Sequence, residues 1–309
     1  MRVKENEMLG IKVKNLVKQY QEKQVLRNIN FEIDKPGVYL IAGPNGSGKT
    51  TLLEILAGMR DKTSGEISIF GNNPGSFGAK RKIGFLCQQN SLRRTCYVKE
   101  ELQLIKEIFG MADVNLKEYL KKLGLDEYYE FKTKKLSGGL KRRVLLGMTM
   151  LPMQEVIILD EPVSGLDTFS RNEIWNMIVE YAKEKIVIIS DHYLNQAAQY
   201  CDYLYLLDEG KIIASGTVDQ VKETIPESYV IKVHNNERRN LENAFFALNI
   251  GFELRVSGTV CNYYIKKDAR DILNRREEFE YPIYKMDFED VYFYYTSRYS
   301  HEGGYQSEG

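Results

Sequence analysis

Residues 43–51 read Gly43-Pro44-Asn45-Gly46-Ser47-Gly48-Lys49-Thr50-Thr51, and the segments around them limit the fold more than any other stretch. The apolar run at 38–42 has the continuous hydrophobicity of a buried strand, and Leu52, Leu53, Ile55 and Leu56 have the spacing of a helix laid on a sheet. A strand that gives way to glycines and then to a helix start is an anion site. Successive backbone N–H groups point at one place, and the helix dipole adds to the attraction. Gly43, Gly46 and Gly48 let the backbone curl, Lys49 is placed to reach β- and γ-phosphates, and the Thr50 hydroxyl is placed for Mg2+. The plainer alternative, a glycine-rich turn with a solvated lysine, leaves the flanking strand and helix unexplained.

A phosphate loop serves kinases, GTPases and many ATPases, so a second motif must narrow the reading. Val156-Ile157-Ile158-Leu159-Asp160-Glu161 has four apolar residues ending in acid, which predicts a central parallel strand delivering Asp160 to the ligand crevice. Asp160 is the candidate carboxylate on the metal side. Strand side chains alternate, so Glu161 points elsewhere and is a candidate to polarise the attacking water. Leu136-Ser137-Gly138-Gly139-Leu140-Lys141-Arg142-Arg143 adds a second anion-binding helix start. Ser137 is a good N-cap, Gly138 and Gly139 clear the approach, and Val144, Leu145 and Met148 continue at helical spacing. A lone Ser-Gly-Gly is a linker; between a phosphate loop and an acidic strand it is a site.

With these motifs in this order the chain resembles the ATP-binding cassette (ABC) ATPases over about residues 11–217. The resemblance implies a P-loop (RecA-like) α/β core with an inserted helical subdomain, and it assigns further residues. Tyr20 matches the aromatic residue on which adenine stacks. Gln88 matches the glutamine that senses γ-phosphate and metal, with Gln89 beside it as the alternative register. Asp167, in Ser164-Gly165-Leu166-Asp167, matches the loop that couples the two sites of a dimer, and His192 matches the switch histidine that contacts γ-phosphate. The implied catalytic set is Glu161, His192 and Gln88; the implied metal set is Thr50, Gln88 and Asp160. ATP and Mg2+ are the implied ligands, held by Tyr20, the loop from Gly43 through Thr51, and Ser137, Gly138, Gly139 and Asp167. Departures from the family pattern are Cys87 for proline, Leu140 for glutamine, Asp191 for serine or threonine and Thr168 for proline; none removes a catalytic group. In the ABC dimer the nucleotide on one subunit's loop is completed by the other subunit's Ser-Gly-Gly. One set of motifs therefore implies a second cassette, most simply in a homodimer.

The rest of the chain agrees with this reading. Lys and Arg total 43 against 43 Asp and Glu, so net charge asks for neither nucleic acid nor an anionic membrane. Cys87, Cys96, Cys201 and Cys261 form no C-x-x-C pair, which fits reduced thiols and argues against zinc. Residues 1–10 are charged, and no stretch approaches the roughly 18 apolar residues of a membrane helix. Transport would therefore be shared with an integral membrane permease, leaving this chain cytoplasmic and peripherally attached to the inner face of the cell membrane.

Three divisions are expected: an ATPase domain over 1–220, with a helical subdomain over 90–140; a C-terminal α+β accessory domain over 227–298; and a disordered tail over 299–309. Leu102, Ile105 and Phe109 form one helical stripe and Leu116, Tyr119, Leu120 and Leu123 another, with Arg93, Arg94, Tyr97, Val98 and Glu101 either in a groove for a permease helix or at a solvated helix start. Past Thr217 the pattern gives a strand at 229–233 and a helix marked by Leu241, Phe245 and Phe246. A hairpin about Ser257-Gly258, a helix over 268–279, a short strand at 283–286 and a helix over 288–295 follow. That order suggests a ferredoxin-like unit, and its closing Phe288-Glu289-Asp290-Val291-Tyr292 resembles the ending of ATPase subunits of ABC-2 type exporters. The expectation is the ATP-hydrolysing subunit of such an exporter. The alternatives are an importer-type ATPase and a soluble mechanochemical ABC ATPase acting on nucleic acid or ribosomes. The single cassette, and the short interval between Thr50 and Val156, disfavour tandem translation factors and chromosome-maintenance ATPases.

Overall fold

The computed structural model of the chain describes residues 10–191, 193–276 and 279–298. It opens with β1 (Ile11–Tyr20), β2 (Lys23–Ile33), β3 (Gly37–Ala42), α1 (Lys49–Leu56) and β4 (Ser64–Ile69). β1 is the middle of an antiparallel sheet ordered β2-β1-β4. Ile11, Val13 and Leu16 are buried along it while Lys12 and Lys14 are exposed, as a sheet covered on one face requires. The alternation slips at Asn15, whose φ of 49° accompanies a register shift between Val13 and Leu16.

Next come α2 (Phe77–Lys80), β5 (Ile83–Leu86), α3 (Val98–Ile108), α4 (Leu116–Lys122), α5 (Gly138–Met150), β6 (Val156–Asp160) and α6 (Thr168–Ala182). β7 (Ile186–Ser190), α7 (Leu194–Tyr200), β8 (Tyr203–Asp208), β9 (Lys211–Gly216) and α8 (Val218–Glu223) follow. The main sheet runs β5-β6-β7-β3-β8-β9, parallel except for the β8–β9 hairpin. β3, β6 and β7 are buried throughout, which explains their unbroken apolar sequences. Their side chains divide cleanly between two cores. Tyr39, Ile41, Ile158 and Ile188 meet α1 and the antiparallel sheet; Val38, Leu40, Ile157, Leu159, Val187 and Ile189 meet α5, α6 and α7.

α3, α4 and α5 enclose a separate core of Val98, Leu102, Leu116, Leu120, Leu125, Leu136 and Val144. The expected stripe is corrected at Phe109, which is 40% exposed. It lines an apolar groove of about 280 Å3 with Phe85, Ile105, Leu145, Met148 and Pro152. Val98 and Glu101 are buried and not groove residues, since Glu101 accepts from the backbone N–H and the Nε of Arg93 at 2.7 and 3.1 Å.

The last part comprises β10 (Tyr229–His234), α9 (Arg238–Ala247), β11 (Phe252–Ser257), β12 (Val260–Ile265), α10 (Lys267–Leu273), β13 (Tyr284–Lys285) and α11 (Phe288–Thr296). Its sheet, ordered β11-β12-β10-β13 with every pair antiparallel, is the split β-α-β arrangement. Two details differ from expectation: α10 stops at Leu273, and Phe246 points outward at 72% exposure while Leu241 and Phe245 are buried. α9 and α10 cover one sheet face through Phe245, Tyr263, Ile265 and Leu273. α11 covers the other through Phe293, packed on Val230 and Tyr264, while its Phe288, Val291 and Tyr292 belong to the main core beside Leu194, Ala197 and Val221. Residues 299–309, expected as a disordered tail, lie outside the described residues.

Candidate functional site

Residues 43–48 form the turn between β3 and α1, at the edge where β3, β6 and β7 end. Gly48, the N-cap of α1, has φ 109° and offers no capping side chain; a Cβ there would lie 2.7 Å from Leu26 Cδ2. The first-turn N–H groups of α1 therefore stand ready for an anion. Lys49 is buried, and its Nζ donates to the carbonyls of Gly43 at 2.8 Å and Pro44 at 3.1 Å. Burial pushes its pKa below the ordinary lysine value, while Glu161 and Asp160 pull it back. The Ser47 hydroxyl is buried without a hydrogen-bond partner, and the Thr50 side chain stands exposed on the first turn. An orphaned hydroxyl, an uncapped helix start and a desolvated ammonium are the groups a phosphate would satisfy. Beyond α1, the Tyr20 ring is flanked by Lys18 Nζ at 4.7 Å and Arg60 Cζ at 5.5 Å from its centroid.

The carboxylates stand across from this loop. Asp160 closes β6 and is buried; Ser190, its neighbour across β7, donates its hydroxyl to Asp160 Oδ1 at 2.6 Å. The Glu161 N–H donates to both Ser190 oxygens, backbone and side chain, at 3.1 Å. Glu161 has φ 47°, a left-handed backbone that costs about 1–2 kcal/mol and turns its side chain off the line of β6. Its Oε2 accepts from Gln88 Nε2 at 2.8 Å. Because β5 lies beside β6, the residue just past β5 reaches Glu161, and the residue that does so is Gln88.

α5 begins at Ser137, whose Oγ accepts from the Leu140 N–H at 3.3 Å. A Cβ on Gly139 would sit 2.2 Å from Ser170 Oγ, so that glycine is demanded by the close approach of α6, whereas a Cβ on Gly138 would meet nothing. Asp167 caps α6, accepting from Ser170 N–H at 3.0 Å and Ser170 hydroxyl at 2.8 Å; these bonds hold its carboxyl below the ordinary range. One turn into α5, Arg142 lays its guanidinium across four backbone carbonyls, those of Cys87, Asp160, Glu161 and Pro162, at 3.2, 3.2, 3.2 and 2.9 Å. Burial pushes the Arg142 pKa down, opposed by Cys87, Asp160 and Glu161. An open cleft of about 940 Å3 joins these parts, lined by Gln88, Gly138, Lys141, Arg142, Glu161 and Ser164 among others.

Comparison with known proteins agrees with this geometry. The ABC transporter family model matches residues 26–164. A lantibiotic transport ATP-binding protein, SrtF of Streptococcus pyogenes, is 31% identical over 74% of this chain and 100% of its own length. The chain belongs to the ABC transporter ATP-binding family. The Nod factor export ATP-binding protein I of Burkholderia lata is 29% identical over 93% of this chain and 97% of its own. Among solved structures, an ATP-binding subunit of an ABC transporter superposes with a TM-score of 0.62 at 25% identity, covering 70% of this chain and 92% of that one. A dimeric, post-hydrolysis ATP-binding cassette bound to ADP and phosphate gives 0.59 at 26% identity, over 67% and 98% of the two chains.

Within this ABC cassette the fold gathers Lys49, Asp160, Glu161 and Gln88 at one edge. Tyr20 stands on the β1–β2 turn, and Ser137, Gly138, Gly139 and Asp167 stand at the two adjoining helix starts. His192, the expected switch histidine, lies outside the described residues. Two residues that hold this geometry were not singled out in the sequence. Ser190 is one hydroxyl in an apolar run, legible only once the β6–β7 register pairs it with Asp160. Arg142 sits in a Lys-Arg-Arg run that reads as a solvated helix face, and nothing local marks that it reaches the carbonyls past the end of β6.

Proposed function

We propose that this ABC ATP-binding subunit hydrolyses MgATP in a dimer of cassettes and powers an ABC-2 type exporter through a separate membrane permease. Residues 1–220 carry the hydrolytic work and residues 227–298 serve as an accessory unit. The single observation that carries the reading is the bond between Gln88 and Glu161 beside the Asp160–Ser190 pair and the Lys49 loop. ATP phosphates dock on the start of α1, where Lys49 leaves its loop carbonyls for β- and γ-phosphate oxygens. Adenine stacks on Tyr20. Thr50, Asp160 and Gln88 would hold Mg2+, which would neutralise negative charge developing on the phosphates. Glu161 accepts a proton from the attacking water, and His192 contacts the γ-phosphate by analogy with the family. Ser137, Gly138 and Gly139 close over the nucleotide of the second cassette, and Asp167 lines the seam between the sites.

Export is favoured by the relatives' names: Nod factor export, lantibiotic transport and, at 31% identity over 69% of its length, linearmycin resistance in Bacillus subtilis. No helix among the described residues is long and apolar enough to cross a membrane, which suits a subunit held at the inner face of the cell membrane by its permease. The test has two parts. Glu161→Gln is expected to bind ATP, to lose on the order of 10²-fold or more in hydrolysis, and to accumulate as an ATP-dependent dimer in size-exclusion chromatography. Near-normal turnover in that variant would remove Glu161 as the proton acceptor. Purification through a tag on this chain in mild detergent should bring down a polytopic membrane protein; ribosomal proteins or nucleic acid in its place would overturn the exporter assignment.

A further inference from the structure

The two parts of the cassette proposed to act on different nucleotides in a dimer share the core in which Leu146 and Met150 of α5 pack on Ile157, Leu159 and Val163, and at the site edge Arg142 ties them together by hydrogen bonds. The helix that starts at Ser137 and the peptide that carries Glu161 have no backbone hydrogen bonds between them; Arg142 spans the gap with bonds to the carbonyls of Asp160, Glu161 and Pro162, and one more to Cys87 next to Gln88. In an extended strand successive carbonyls point to opposite sides, so one group cannot collect three in a row. The left-handed φ of 47° at Glu161 breaks that alternation and turns the three carbonyls towards one guanidinium. The Arg142 fork therefore holds the strained conformation that aims Glu161 at Gln88.

We propose that Arg142 is a positioning residue for hydrolysis. It fixes the Glu161 backbone against the Ser137 helix, so that a nucleotide engaged by that helix from the second cassette sets the proton acceptor of this one. The proposal rests on the assignment of Glu161 as that acceptor. Arg142 acts through the peptides whose carbonyls it binds. A lysine keeps the charge but cannot span carbonyls in a planar fork, so geometry and charge are separable.

The experiment measures ATP turnover and ATP binding on the full chain for wild type, Arg142→Ala, Arg142→Lys, Glu161→Gln and the Arg142→Ala/Glu161→Gln double variant. A displacement of about 1 Å at a catalytic group costs on the order of 10²-fold, so kcat should fall by roughly that factor in both Arg142 variants while the ATP dissociation constant stays within about threefold. In the Glu161→Gln background, removing Arg142 should lower the residual rate by less than about twofold, because its effect passes through Glu161.

Three results overturn the proposal: turnover within about twofold of wild type in Arg142→Ala, full rescue by lysine, or ATP binding lost in proportion to kcat, which would mark a merely structural role. Retained ATP binding certifies that each variant is folded, and Arg142→Lys serves as the reading variant if the alanine form aggregates. Should Glu161→Gln itself turn over normally, it is the parent assignment that fails; normal Glu161→Gln behaviour with an indifferent Arg142 sinks this inference alone.

Discussion

At the scale of single residues, the candidate site depends on groups that are useless in isolation. Asp160 is buried at 3% exposure, where Ser190 donates to it and the Lys49 ammonium and Arg142 guanidinium interact with it. Ser190→Ala leaves Oδ1 of Asp160 without that donor and deprives the Glu161 N–H of one of its two acceptors. The expected cost is about 1–3 kcal/mol in urea unfolding, accompanied by a loss of turnover larger than the loss of ATP binding. A variant with unchanged unfolding midpoint would mean that Asp160 is adequately solvated without the hydroxyl. Gly139 illustrates a different dependence. Its lack of a side chain reads from sequence as an opening for a nucleotide, yet the contact that forbids a Cβ is Ser170 of α6 within the same chain.

At the scale of elements, the join between α7 and α11 decides how far the C-terminal part is independent. The Asn195 side chain, near the start of α7, accepts from the N–H groups of Phe288 and Glu289 at 2.9 and 3.1 Å and donates to Asp287 Oδ2 at 2.9 Å. These bonds occupy donors at the start of α11 that the Asp287 cap, which serves Asp290, leaves open. Asn195→Ala should cost about 1–2 kcal/mol, the range for loss of a cap, read as a lower urea midpoint. Because α7 begins two residues after His192, the residue proposed to contact the γ-phosphate, the same change tests whether the join to α11 bears on hydrolysis: ATP turnover should fall while a variant on the far side of the small sheet, such as Phe246→Ala, leaves it unchanged. Equal turnover in the two variants would show that the staple serves stability alone.

At the scale of the whole molecule, the chain is a cassette whose last described helix, α11, is part of its first core. Phe288, Val291 and Tyr292 are each at most 2% exposed and pack among residues of α7 and α8. Cutting the chain after Glu227 therefore removes more than an accessory unit, since it uncovers apolar surface on the ATPase core. Losing a single buried aromatic costs about 3–5 kcal/mol, so the truncated protein should melt well below the full chain and expose hydrophobic surface to a reporter dye. If the truncated protein melted at the full-length temperature, the packing of α11 would be energetically idle.

The sequence by itself determined the family: contiguous motifs marked a candidate phosphate loop, acidic strand end and second helix start, because each is a short run whose function needs specific residue types at fixed local spacing. It also determined the element order of the C-terminal part, since period-two and helical patterns are local signals. Only the tertiary structure decided which side chains close the site. Gln88 meets Glu161, Ser190 meets Asp160, Arg142 meets three successive carbonyls and α11 meets α7 through pairings between segments far apart in the chain. Such pairings are set by strand register and helix packing, which no local pattern encodes: a polar residue inside an apolar run reads the same whether or not its partner stands on the next strand.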